Sequence, residues 1–75
     1  MTLTLTPEQQ KTLVEICRAA SEFYRNEEDS FRQLADEAEE GDDERMQADM
    51  DTRAIGMAGK ADKARDMATW IAKGA

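Results

Sequence analysis

An all-α protein built from two long antiparallel helices, a helical hairpin, is the fold this sequence predicts, and three observations predict it. Nothing between Pro7 and Glu40 breaks a helix. Apolar residues recur at spacings of three and four on both sides of Gly41. The connection at Gly41, Asp42 and Asp43 is too short for anything but antiparallel neighbours. Because the apolar arcs are wider than one hairpin seam can cover, a homodimeric four-helix bundle is the expected assembly.

The elements follow in order. Met1 to Thr6 alternates Thr with Leu, which favours an extended N-terminal arm. Leu3 and Leu5 share one side of it and are placed to fold back over Trp70. Thr6-Pro7-Glu8-Gln9 then opens helix 1: Thr6 caps the Gln9 N–H, Gln9 reaches back, and Pro7 suits the first helical position. Helix 1 is expected over 7–40, although the polar run Asn26 to Ser30 would tolerate a break. Gly41 supplies a left-handed stop, and Asp42 or Asp43 caps helix 2, expected over 44–73. Each helix spans about 45–50 Å at 1.5 Å per residue. The arm and a single hairpin domain over 7–75 account for the whole chain.

Placing helix 1 residues 100° apart gathers Leu13, Ile16, Cys17, Ala20, Phe23, Tyr24, Phe31, Leu34 and Ala38 into one arc. On the far side Lys11, Glu15, Arg18, Glu22, Arg25, Asp29, Arg32 and Asp36 alternate in sign at helical spacing, a ladder of solvated pairs. Helix 2 carries Met46, Met50, Ala54, Met57, Ala61, Ala64, Ala68 and Ile71. Large side chains facing these small ones suit a tight pair in which Leu34 meets Met50, Tyr24 lies near Ala61 and Leu13 near Ile71. Gly56 and Gly59 inside helix 2 suggest a close backbone approach.

Composition excludes several functions. The 75 residues include no histidine and one cysteine, Cys17. The usual general base, the familiar nucleophile pairs, common zinc sets and an intrachain disulfide are therefore all missing. No catalytic residues, cofactor or metal are expected, and the protein is read as not an enzyme. Seventeen acidic residues against ten basic ones give a net charge of −7. That sign opposes direct contact with nucleic acid or an anionic membrane, both of which bind through Lys and Arg, and favours a basic protein surface as partner. A lone thiol and the lack of any membrane-length apolar run point to the cytoplasm.

Three constellations are candidates for function. The hairpin tip gathers Asp36, Glu37, Glu39, Glu40, Asp42, Asp43 and Glu44 into nine residues. Four of them end helix 1, where the macrodipole disfavours negative charge, so helix stability does not explain them. An acidic knob for a basic groove would, and a solvated, solubilising loop is the alternative. An EF-hand loop does not, because counting from Asp36 puts Ala38 and Gln47 where oxygen ligands belong. Trp70, Met67 and Phe23 are candidate interface anchors, since large aromatic residues dominate binding hot spots. Glu27 falls in the apolar arc and needs a partner; Arg53 and Lys60 on helix 2 are the candidates, as an ion pair fixing register or as a pocket between protomers, unless Glu27 reaches solvent at a bundle edge.

No motif matches a family residue by residue. In size, acidity and lack of catalytic residues the chain is similar to small phage-encoded inhibitors, including anti-CRISPR and other anti-defence proteins, a profile that covers no motif. The expected function is a homo-oligomeric inhibitor or adaptor whose acidic surface blocks a basic, nucleic-acid-binding surface of a host protein. The alternatives are an oligomer that binds or sequesters a small, nucleotide-type molecule between hairpins, and a purely structural assembly subunit.

Overall fold

The computed structural model describes residues 4–74. Among them are two helices, α1 over Pro7–Glu40 and α2 over Glu44–Ala72, and no strands. The first three residues of the N-terminal arm, Leu3 among them, lie outside the described residues. Thr6 is extended (φ −70°, ψ 157°); its hydroxyl accepts from the Gln9 N–H at 3.1 Å, and its own N–H donates to Gln9 Oε1 at 3.0 Å. This reciprocal cap fixes where α1 starts. The run from Asn26 to Ser30 stays helical throughout.

The turn departs from expectation by one residue. Gly41 sits at φ −86°, open to any residue, and Asp42 takes the left-handed conformation at φ 59°. The Asp42 N–H donates to the Glu39 carbonyl and the Asp43 N–H to the Ala38 carbonyl, at 3.1 and 2.8 Å. These two bonds are the pattern of a Schellman turn with Asp42, one of the few non-glycine residue types that tolerate αL, at its left-handed position. Asp43 then caps α2, accepting from the Met46 N–H at 3.0 Å. One residue thus closes the first helix and opens the second.

At the open end α2 stops at Ala72, one residue short of the expected end, and Gln10 reaches across from α1. Its Nε2 donates to the carbonyls of Ile71 and Ala72, at 2.7 and 3.2 Å, giving the last turn of α2 a donor from the other helix; the Ile71 carbonyl also accepts from the Gly74 N–H at 3.0 Å. Half-way along, Ser21 Oγ donates to the Ala61 carbonyl at 2.9 Å. Both bonds need the two backbones close together. The small residues allow it: Ala54 and Ala61 are fully buried, with Ala35, Ala38 and Ala68 nearly so.

The seam on α1 accordingly runs through Gln10, Val14, Cys17, Ser21, Tyr24, Glu28, Phe31, Ala35 and Ala38, spaced alternately by four and three. Its partner on α2 is Gln47, Met50, Ala54, Met57, Ala61, Ala64, Ala68 and Ile71, with the same alternation. This is the spacing by which helices interlock along a seam. Val14, Ala68 and Ile71 form a buried cluster on it, with Cys17 and Leu5 packed against them. Leu5 therefore covers the end of the seam. Burial of Val14 and Ile71 contributes about 1.5–3 kcal/mol each.

The arc read from the sequence is rotated relative to this seam. Leu13, Ile16, Phe23 and Leu34 on α1 and Met46 on α2 are exposed, while Val14, Ser21, Glu28 and Ala35 take the inner line. Close approach selects small residues for the centre and leaves the larger ones on its flank. The glycines show a second difference. A Cβ at Gly56 or Gly59 would meet nothing within 4 Å, so neither marks an approach within the hairpin. The molecule is a flat slab, 53 × 20 × 11 Å along its principal axes, and among the described residues no large side chain is fully buried.

Candidate functional site

The slab has two faces, which the seam defines. Residues one step after a seam position lie on one side of the hairpin, and residues one step before it lie on the other. This holds for both helices because they run in opposite directions. The first side takes the charged ladder of α1 together with Asp62 and Arg65 of α2.

The ladder does not form as a row of solvated pairs. Arg25 and Arg32 turn inward to Glu28, a carboxylate only 9% exposed. Arg32 donates through Nε and Nη2, at 3.1 and 2.9 Å to the same oxygen, and Arg25 Nη1 donates to the other oxygen at 3.1 Å. The second Arg25 nitrogen binds Asp62 of α2, tying the helices together. Arg65 lies 3.7 Å from Asp62 at the edge of the group. Hydrogen bonds from Arg32 and then Arg25 hold the Glu28 carboxyl below the usual carboxylate range, outweighing its burial. The seam thus contains a charge whose hydrogen bonds come from its own helix, and the ionic link across to α2 is the Arg25–Asp62 pair.

Glu27, one residue earlier, is half-buried on the opposite side. Arg53 and Lys60 lie on that same side, yet among the described residues no ion pair joins them to Glu27. Arg53 Nε holds Asp49 at 3.2 Å, and Lys60 Nζ stands 5.9 Å from the centroid of the Tyr24 ring. The buried ionic link expected of Glu27 is carried within the hairpin by Glu28. The two adjacent carboxylates lie at the border of the apolar arc, and a rotation of one residue decides which faces inward.

The interface candidates also fall on this second side. Phe23 (57% exposed), Met67 (48%) and Trp70 (51%) stand clear of the seam, and Leu13 and Ile16 flank them. Phe23 packs edge-on against Tyr24, ring centroids 5.6 Å apart, and Lys63 and Asp66 border a shallow groove at Met67 and Trp70. The sequence signal for this face was present in the width of the apolar arc, which exceeds what one seam buries.

At the tip, Asp36, Glu37, Glu39, Glu40, Asp42, Asp43 and Glu44 are all exposed, and among the described residues none enters an ion pair. Asp43 alone has a structural duty, as the cap of α2. The seven do not converge: among the described residues no three carboxylates or thiols are grouped as they would be around a metal ion. No helix among the described residues is long and apolar enough to cross a membrane. Compared with known proteins, the chain matches no family model, no curated protein and no solved structure.

Proposed function

We propose that this protein is a non-enzymatic inhibitor or adaptor that works as a homodimeric four-helix bundle and docks its acidic tip onto a basic surface of another protein. The surface it fits best is one that otherwise holds nucleic acid, whose negative charge the tip shares. On this reading the protein acts in the cytoplasm, and its role is anti-defence, in the service of a phage or mobile element.

The observation that carries the reading is the tip. It concentrates seven exposed carboxylates, none of them ion-paired among the described residues, at a point where four oppose the dipole of α1. That arrangement costs helix stability, and a partner with the opposite charge offsets the cost. A binding role rather than a catalytic one is supported by a chain without histidine.

The test compares the wild type with a variant combining Glu37→Gln, Glu39→Gln, Glu40→Gln, Asp42→Asn and Asp43→Asn. Asn keeps both the left-handed position and the cap, so the hairpin survives neutralisation. Pull-downs at graded salt from a host extract are expected to recover a partner that the wild type releases as salt rises and that the variant never holds. Nucleic acid should displace it. A partner held equally by both proteins removes the tip from the function.

A further inference from the structure

The apolar side of the slab is the part of the molecule that neither the hairpin nor the tip explains. Ile16, Phe23, Met67 and Trp70 are each about half exposed, and all lie in the half of the hairpin away from the tip. On the opposite side Arg25, Arg32 and Asp62 are ion-paired within the hairpin, Arg25 and Arg32 through Glu28.

We propose that a second copy of this chain covers the apolar side, packed antiparallel about a twofold axis that lies in the plane of the face and crosses the helices near Ala20 and Met67. The two acidic tips then point in opposite directions. This inference rests on the homodimer proposed above and specifies its face and orientation.

Three observations select this occupant and this geometry. The first is charge. A parallel pair would also stack apolar half on apolar half, but it would bring together two tips of seven exposed carboxylates each. The antiparallel pair separates them by nearly the full length of the assembly. The second is area. With the axis about 30 Å from the tip, the two 53 × 20 Å faces overlap over about 46 Å of their length and cover about 900 Å² per protomer in flat projection, matching the roughly 800 Å² per partner of a stable interface. The third is composition. Outside the tip the face carries charges of both signs, Glu27, Asp49 and Asp66 against Arg53, Lys60 and Lys63, so it offers a second copy acidic and basic groups alike.

Two experiments decide it. For orientation, a spin label is placed at the tip by Gly41→Cys in a Cys17→Ala background, and the label-to-label distance is measured by dipolar spectroscopy. The axis lies about 30 Å from the tip at 1.5 Å per residue, so a distance of about 60 Å is expected. A distance under about 30 Å means parallel packing and overturns the orientation. For the face, Phe23→Glu with Trp70→Glu is expected to weaken self-association by about 30-fold or more while helicity is retained. Ile55→Glu, equally exposed but on the other side, should leave association unchanged. A dimer that survives the double substitution overturns the face while leaving the homodimer standing. A wild type that is monomeric at every concentration overturns both. Partner capture through the tip is measured separately and falls with neither.

Discussion

Asp42 holds a left-handed backbone while the glycine beside it does not need its freedom, and the stability of the turn should register the difference. Asp42→Gly relieves the αL strain and is expected to raise stability by about 0.5–1 kcal/mol, read as a shift in urea midpoint. Gly41→Ala should also stabilise, by about 0.4–1 kcal/mol: the backbone suits alanine, and its Cβ would meet only the Glu37 and Ala38 carbonyls at ordinary contact distance. Glu28 predicts a pH effect with a definite sign. Its folded-state pKa lies below the ordinary value of 4.5, so its stabilisation is complete above that value and is lost as pH falls through the lower one. Urea melts from about pH 5.5 down to pH 2.5 should therefore show a steeper loss for the wild type than for Glu28→Gln. Equal slopes would mean that Arg25 and Arg32 do not favour the ionised form.

At the scale of the helices, the legible features were those written in local chemistry. Thr6, Pro7 and Gln9 announce the start of α1, Asp43 the start of α2, and the short link between them the antiparallel pairing. Seven of the eight residues assigned to the α2 stripe lie on its seam; Met46 is the exception. The rotation of α1 was not legible, because a helical wheel weighs apolar residues by size whereas backbone approach is decided by small ones, here Ser21 and Ala35 opposite the alanines of α2. The same error turned Glu27 inward in place of Glu28. The tip and the exposed aromatic residues could be located from sequence alone, since neither depends on the register. Gly59 lies in a helix interior with open space where a side chain would stand. Gly59→Ala should raise the thermal midpoint, equivalent to about 1 kcal/mol. No change would indicate that something outside the hairpin occupies that space.

The whole molecule is one helix thick, and its core is largely alanine, so a single copy has little apolar burial with which to oppose the entropy of ordering the chain. If a second copy supplies the remainder, thermal stability must depend on protein concentration, with the midpoint rising over a hundredfold range. The seam described above also has a direction in time. Contacts beside the turn join residues few positions apart in the chain, whereas the Gln10 bond to Ile71 joins positions 61 apart. Closing a loop becomes more costly with its length, so the two strands of the zip fasten from the tip outward and loosen from the far end first. The end that loosens first is the one with the aromatic residues and the greater apolar exposure. A fastener there would act as a clasp, holding shut the teeth that the turn holds least.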